Sequence, residues 1–307
     1  MRAIAAAILL FLTGATASAE PISIKSHPIT WEKTEATAAL LGDLEIASAH
    51  VWTSDNPNFG GLSGLLIAEG KLTAVTDRGM VLTGELEGGQ LKNGVLTALR
   101  DLNGKPLKEK ADADAESLAA FGSGYIVAFE RKHRLLAYQD GIASPFAGPK
   151  KLSGAASNHG LEAITRLNDG RYLLLFEKTD KEEKTKGWIG SPGKWKRFTY
   201  IREDGYRPTG ATTLPDGRII ILERYYAFLM GVRARLRLIE PDELRQKTPV
   251  KGRLLGEIQG PLPVDNFEAI AATKDEDGHI LIHLLSDDNF SALQKTLYLT
   301  LRLRKPS

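Results

Sequence analysis

Three glutamates recur along the chain, each followed by a small residue and then an apolar one. Aligning the segments around them places Glu116, Glu162 and Glu268 in one column, which Ser63 and Thr209 fill in two further copies. Carboxylates that converge in a confined space repel one another, so their pKa values rise unless a cation neutralises them. Calcium accepts about six to eight oxygen ligands in flexible geometry. The column therefore predicts a calcium site, and the absence of cysteine argues against zinc held by thiolates.

Further oxygen donors lie shortly before the column. They are Asn58, Asp112, Asp114, Asn158, Asp265 and Asn266. Two interpretations stay open. The side chains complete the coordination of a metal, or they cap turns, as Asn and Asp commonly do.

A second column stands at the end of the β-rich run that follows each copy. It contains Asp77-Arg78, Glu130-Arg131, Glu177-Lys178, Glu223-Arg224 and Asp287-Asp288. Adjacent residues of a strand face opposite sides, so the two residues of each acid–base pair should lie on different faces of the sheet. One interpretation is a set of structural salt bridges between neighbouring repeats. In the other, the bases form a cationic rim for phosphate or carboxylate ligands. That rim would contain Arg78, Arg131, Lys132, Arg134 and Arg224.

Signatures of a nucleophile are weak. The run from Gly61 to Gly64 has a serine between glycines, but Leu65 stands where a nucleophile elbow needs its second glycine, so we reject a serine hydrolase. His159 lies three residues before Glu162 and is a candidate base or ligand. We interpret His279 and His283, on one face of a strand, as surface or core residues. No glycine-rich phosphate loop is present, so a nucleotide-driven enzyme has no support.

The columns belong to an internal repeat. Five copies start at Gly60, Asp114, His159, Arg207 and Asp265, and their column residues are 53, 46, 47 and 59 residues apart. A period of about fifty residues is typical of a four-stranded propeller blade. Helical repeats would need apolar residues every 3.6 positions or so, and the segments here are short β-branched or aromatic runs between turns. The glutamate segment should be the innermost strand, so that equivalent residues ring a central channel.

These patterns predict an all-β protein with a single β-propeller of five to six four-stranded blades. Apolar runs such as Tyr172–Phe176 and Ile219–Leu222 predict strands covered on both faces. The N-terminal strands around Ile22–Trp31 and Leu44–Trp52 have no full copy of the motif. We expect them to complete a last blade with Thr296–Arg304, which hides a sheet edge.

The first nineteen residues have the layout of a secretory signal peptide. Arg2 is followed by an apolar segment, Ala3–Leu12, and by Ala17-Ser18-Ala19, a cleavage pattern. The apolar segment is shorter than the about 20 residues that span a bilayer, and the absence of cysteine excludes a lipid-modified cysteine at the cleavage site. We therefore predict cleavage after Ala19, a propeller domain over residues 20–307, and a periplasmic or secreted protein without a membrane anchor.

Charge sets limits on the partners. The formal net charge of +2 includes Arg2, so the mature chain has no strong overall field. Nothing in this balance indicates binding to nucleic acid.

The motifs GGLSGL, VTDRG, DAESLA, GLEAIT, DNFEAIA and LSDDNFSALQKTLYLTL, in this order, resemble the bacterial family described as esterase-like activity of phytase, or phytase-like domain. The resemblance runs from about Phe59 to Leu301. It implies an exported β-propeller and a link to calcium-dependent hydrolysis of phosphoesters. Ser63 and Thr209 depart from the acidic column. Carried over by motif, the metal-binding candidates are Glu116, Glu162, Glu268, Asp77, Asp287 and Asp288.

The leading hypothesis is a metal (calcium)-dependent hydrolase of phosphate esters or related esters, acting on a small anionic ester. Its catalytic candidates are Glu162, His159, Arg78, Arg131 and Arg224. The alternative is a non-catalytic propeller that binds a protein partner or a small ligand through its channel face. A lactonase-like propeller with one channel metal would share the glutamates and differ in its substrate.

Overall fold

The computed structural model describes residues 19–150, 160–177, 183–227, 231–246 and 248–304. The predicted signal peptide, except for Ala19, lies outside these residues, as does His159. No helix within the described ranges is long and apolar enough to cross a membrane.

The described residues form five antiparallel sheets, which are the blades of a propeller. Blade 1 contains β4 (Leu62–Ala68), β5 (Lys71–Thr76), β6 (Met80–Glu87) and β7 (Gln90–Ala98), with β1 (Glu20–Ile22) at its edge. Blade 2 contains β8 (Ala115–Phe121), β9 (Gly124–Phe129), β10 (Arg134–Gln139) and β11 (Ile142–Phe146). Blade 3 contains β12 (Leu161–Arg166), β13 (Tyr172–Phe176), β14 (Lys184–Ser191) and β15 (Lys194–Ile201).

The remaining two blades complete the ring. Blade 4 contains β16 (Arg207–Thr213), β17 (Ile219–Ala227), β18 (Gly231–Ile239) and β19 (Arg253–Ile258). Blade 5 contains β20 (Phe267–Lys274), β21 (Ile280–Ser286), β22 (Thr296–Leu303), β3 (Leu44–Thr53) and β2 (Lys25–Pro28). The short helix α2 (Lys110–Ala113) connects blades 1 and 2, whereas α1 (Glu35–Leu41) lies between β2 and β3 of blade 5 and a 3₁₀ turn (Glu243–Arg245) lies between β18 and β19 of blade 4.

The first strand of each blade is its innermost strand. Strands β4, β8, β12, β16 and β20 contact one another in that order, and β20 contacts β4. The ring therefore closes after five blades, and the prediction of an all-β propeller is confirmed. The sequence left five or six blades open, and the structure has five. Apolar clusters fill the spaces between successive blades, and every residue of Tyr172–Phe176 and Ile219–Leu222 is buried, as predicted.

The two ends of the chain close the ring in blade 5. Strand β3 pairs antiparallel with β22 over most of its length, so the predicted joining of N-terminal and C-terminal strands is confirmed. Trp52 of β3 is buried and stacks on Tyr298 of β22, with ring centroids 4.7 Å apart. The N-terminal segment also contributes to a second blade, because β1 pairs with β7 at the edge of blade 1.

Small residues allow the inner strands to approach one another closely. A Cβ atom on Gly64 would lie 3.0 Å from the backbone nitrogen of Leu118 in blade 2. A Cβ atom on Gly210 would lie 2.9 Å from the carbonyl oxygen of Glu268 in blade 5. The small residue after each column position is thus explained by the narrowness of the ring at this level.

Candidate active site

Each inner strand loses its regular pairing at the column residue. In blade 2, for example, Ala115 pairs with Phe129 and Ser117 pairs with Ala128, so Glu116 is left out of the ladder. The same irregularity occurs in every blade, at Ser63, Glu116, Glu162, Thr209 and Glu268. A β-bulge redirects a side chain and interrupts the alternation of faces. The column is therefore a ring of five bulges at one level of the propeller.

The strands that carry the column line a central channel. A cavity of about 110 Å³ is bounded by the residues two to four positions after the column residue in all five blades. These are residues 65–67, 118–120, 164–166, 211–213 and 270–272. The column lies at the start of each strand, so we call the end of the channel with Ser63, Glu116, Glu162, Thr209 and Glu268 the channel mouth.

The three glutamates of the channel mouth act on one another electrostatically. The pKa of Glu116 lies well above its usual value because of burial and then because of the charges of Glu162 and Glu268. The pKa of Glu162 is also raised well above the usual range, by burial and by neighbouring carboxylates that include Glu268. This is the effect expected of carboxylates that share a confined space.

The hydrogen bonding of these glutamates is uneven. Glu268 accepts a hydrogen bond from Asn266 Nδ2 at 2.9 Å, and Arg224 Nη2 lies 3.4 Å from its Oε1 atom. Burial raises the pKa of Glu268, whereas Arg224 and Asn266 oppose the rise. Glu116 and Glu162 have no hydrogen bond or ion pair with any residue that the structure describes. Their carboxylates are therefore available to a cation or a substrate.

The second column occupies an equivalent place in every blade. The backbone N–H of the acid donates to the segment just before the column in four blades: Asp77 to Gly61, Glu130 to Asp114, Glu177 to Gly160 and Asp287 to Asn266. In blade 4, Glu223 pairs with Pro208. The acids thus surround the inner ring at the same end of the propeller.

Several of these acids join neighbouring blades. Glu130 Oε1 accepts from Gly160 N–H of blade 3 at 3.2 Å, and Asp288 Oδ1 accepts from Gly61 N–H of blade 1 at 3.0 Å. Lys110, just before blade 2, lies 2.6 Å from Asp77 of blade 1. The predicted structural links between repeats are present at these positions. Arg207 of blade 4 makes a comparable contact with Glu177 of blade 3, at 3.2 Å.

Blade 4 differs from the others. Glu223 is completely buried and is bonded to Arg235 at 2.5 Å, Arg237 at 3.2 Å and the Tyr200 hydroxyl at 3.0 Å. The next residue, Arg224, faces the opposite side of the strand and approaches Glu268 at the channel mouth. In this pair the structural and channel-facing interpretations both hold, one for each residue.

One group of acids at the channel mouth has the geometry to hold a metal ion. Carboxylate oxygens of Asp114, Glu116 and Glu130 all lie within 4.8 Å of one another. Asp114 is fixed by Arg131 Nε at 2.6 Å and Lys110 Nζ at 3.1 Å. Nearby, the Oδ1 atom of Asp77 is buried without a hydrogen-bond partner among the described residues. A donor set made only of hard carboxylate oxygens fits calcium.

The other predicted site residues take different positions. The Arg78 guanidinium lies 3.2 Å from the centre of the Phe290 ring. Asp288 already accepts hydrogen bonds from Gly61, Phe290 and Thr296. Asp287 is buried, and burial together with the charge of Glu268 raises its pKa to about 8. His159, Asn158 and Lys178 lie outside the described residues.

The basic side chains of the predicted cationic rim form ion pairs with acidic side chains or lie over aromatic rings. Lys132 pairs with Asp112 at 2.7 Å, and Arg134 lies over the Phe129 ring. Lys110, which contacts two acids of the site, was not predicted from the sequence. It lies on α2, between repeats, where no periodic pattern identifies it. The aromatic partner of Arg78, Phe290, was not predicted from the sequence either.

Comparisons with known proteins agree with this architecture. Residues 57–290 match the family described as Phytase-like: Esterase-like activity of phytase. No curated protein sequence matches the chain. The α-L-arabinofuranosidase PaAbf62A from Podospora anserina, in complex with cellotriose, is 13% identical, with 93% of this chain and 98% of that chain covered and a TM-score of 0.50. A hypothetical protein from Leishmania major is 12% identical, with coverage of 80% and 85% and a TM-score of 0.48.

At such identities the similarity to the arabinofuranosidase supports the fold alone. The family match extends over most of the propeller, from just before β4 to the loop after β21. The chain therefore belongs to this phytase-like family.

Proposed function

We propose that the protein is a hydrolase of small anionic esters, phosphate esters first among them, and that calcium assists it at the channel mouth. The observation that carries this proposal is the pair Glu116 and Glu162. Burial and then neighbouring carboxylates raise the pKa values of both, and neither has a partner among the described residues. Family membership supports a hydrolase-type propeller at a coarse level.

Asp114, Glu116 and Glu130 are the residues that would hold the cation. Their oxygens lie close enough to share one ion, and Arg131 and Lys110 fix Asp114 in place. Glu162, Glu268, Asp77 and Asp287 extend the acidic surface around them. When bound, calcium would neutralise the charges of the carboxylates and of the phosphoryl group, and it would lower the pKa of a water molecule.

Arg224 is the residue that would orient the anionic group of the substrate. Its Nη2 atom pairs with Glu268, but its Nε atom is buried and has no hydrogen-bond partner among the described residues. Arg131 is engaged with Asp114, and Arg78 lies over Phe290. A guanidinium with an unused donor can bind a phosphate or carboxylate oxygen through a charge-assisted hydrogen bond. Substrate and cation would then meet between blade 4 and blade 2.

Glu162, in blade 3, lies between these two groups in the order of the ring. In the reaction, the oxygen of water forms the new bond to the phosphorus or acyl carbon while the bond to the ester oxygen breaks. Glu162 accepts the proton of the attacking water and passes it to the oxygen of the leaving alcohol. We further propose that the signal-peptide pattern sends the protein to the periplasm or the outside of the cell.

The test is hydrolysis of a panel of phosphate, carboxylate and lactone esters by the purified protein, with calcium and with chelator. We expect calcium-dependent turnover of an anionic ester that Glu162→Gln abolishes without loss of folding. Glu45→Gln is the matched control, because Glu45 is exposed on β3. If the folded, calcium-loaded protein hydrolyses no ester, the proposal is wrong, and a propeller that binds a partner through its channel face becomes the better hypothesis.

A further inference from the structure

A second cleft lies at the opposite end of the propeller from the channel mouth, between blades 4 and 5. It has a volume of about 310 Å³. Its walls are the turn from β16 to β17, the turn from β20 to β21 and the end of β22. Because β16 and β20 start at the channel mouth and run away from it, both turns lie at the far end. The cleft is therefore separate from the proposed active site.

Positive charge dominates the walls of this cleft. Arg218, Lys274 and Arg304 line it, together with one acid, Asp216. Asp216 is bound to Arg218 through Nε at 3.0 Å and Nη2 at 2.7 Å, so these two charges neutralise each other. Lys274 and Arg304 make no ion pair with a described carboxylate. The cleft thus retains two positive charges without a counter-charge in the described part of the chain.

One acid of the neighbouring turn, Asp275, is engaged within that turn. Asp275 accepts a hydrogen bond from the backbone N–H of His279 at 2.7 Å, and its other oxygen lies 3.1 Å from His279 Nδ1. Asp277 is exposed on the turn and does not line the cleft. The carboxylate of Asp275 is consequently turned toward His279. It does not neutralise the positive charges of Lys274 and Arg304 in the cleft.

The remaining walls are apolar. Pro215, Ile280 and Leu303 contribute side chains from three different segments of the two blades. A cleft with two unneutralised cations and apolar walls complements a ligand that combines an anionic group with an apolar body. An inorganic ion would use the cations alone and leave the apolar surface uncovered.

We propose that this cleft binds a small organic anion, whose carboxylate or phosphate contacts Lys274 and Arg304 and whose apolar body packs on Ile280 and Leu303. Carboxylate and phosphate headgroups share the chemistry that the two cations recognise. This site is independent of the proposed hydrolysis. Binding there requires neither the glutamates of the channel mouth nor calcium.

The test is titration of the isotopically labelled protein, in chelator, with benzoate, phenyl phosphate and benzyl alcohol, followed by NMR. We expect benzoate, phenyl phosphate or both to shift amide signals of residues 214–218, 274–280 and 303–304, and benzyl alcohol to shift none. A preference for one anion identifies the headgroup. Lys274→Met and Arg304→Met should each weaken binding by about tenfold, the effect of one charge-assisted hydrogen bond.

Lys194→Met is the matched control, because Lys194 is exposed on β15 of blade 3, away from the cleft, and should leave binding unchanged. Glu116→Gln should also leave it unchanged, whether or not the protein proves to be a hydrolase. Absence of shifts with both anions, equal shifts with benzyl alcohol, shifts confined to the channel mouth, or unchanged affinity in Lys274→Met would each overturn the proposal.

Discussion

The guanidinium of Arg224 in blade 4 lies 3.4 Å from the carboxylate of Glu268 in blade 5. Blade 4 has Thr209 where blades 2, 3 and 5 have a glutamate, and Arg224 brings a positive charge to that sector. Its charge opposes the rise in the pKa of both Glu162 and Glu268. The channel mouth is therefore electrostatically asymmetric, with acids concentrated on blade 2 and a cation on blade 4.

This asymmetry predicts that Arg224 selects anionic substrates. Replacing Arg224 with Gln should lower kcat/KM for an anionic ester by about 10- to 100-fold, since a hydrogen bond to a charged group contributes about 1.5–3 kcal/mol. Hydrolysis of a neutral ester such as 4-nitrophenyl acetate should change little. Arg245→Gln is the control, because Arg245 is exposed and its one ion pair among the described residues is with exposed Asp242. An equal loss for both substrates would show that Arg224 acts on the fold or on the reaction in general.

Calcium should stabilise the folded protein through Glu116. A ligand at about 100 times its Kd adds about 2.7 kcal/mol to the free energy of unfolding, so the melting temperature should rise in a calcium titration and fall again with chelator. Glu116→Gln should weaken this response, whereas Glu45→Gln should preserve it. In chelator, Glu116→Gln should be at least as stable as the wild type, because it removes one of several repelling charges. A melting temperature that does not respond to millimolar calcium would contradict the metal site.

Glu223 should be a structural residue. It is fully buried and pairs with two buried arginines, Arg235 and Arg237, so Glu223→Gln removes the buried counter-ion that they share and leaves them only their more exposed partners, Asp204 and Glu203. We expect the free energy of unfolding to fall by about 3–5 kcal/mol, measured by urea denaturation. The exposed pair of Asp242 with Arg245 provides the control, since Asp242→Asn should cost less than about 1 kcal/mol. If the two substitutions had similar effects, the buried network would not hold blade 4 together.

His283 should make the stability of the ring closure depend on pH. Burial lowers its pKa to about 4 from 6.5, and its ring bonds to Tyr298 at 2.6 Å and Thr273 at 2.8 Å. Because the unfolded chain binds the proton first, stability is complete above pH 6.5 and falls as the pH drops toward 4.

The loss attributable to His283 is about 3 kcal/mol. It is measured as the difference between the wild type and His283→Gln in urea denaturation at a series of pH values, which cancels the titration of carboxylates common to both. The two proteins should diverge in pH dependence only across that window. Parallel curves between pH 6.5 and 4 would contradict a neutral, buried His283.

The repeat itself determined much of the fold. Strand alternation, turn residues and a period of about fifty residues are local properties of the chain, and they were sufficient to predict a propeller whose first strands carry the column. The small residue after each column position could also be read from the sequence, because it recurs with the repeat. The mutual electrostatic effect of Glu116, Glu162 and Glu268 follows from the repeat once its copies are arranged in a ring.

The number of blades and the direction of individual side chains depended on contacts between distant segments. Five blades result because β3 pairs with β22, some 250 positions away, a register that no local pattern contains. Glu223 and Asp77 have equivalent places in the sequence, yet Glu223 is buried against Arg235 while Asp77 faces Lys110. The sequence alone determined which residue types recur and at what interval. Only the tertiary structure decided which of them meet, because a bulge, a buried arginine or a neighbouring blade sets the direction of each side chain.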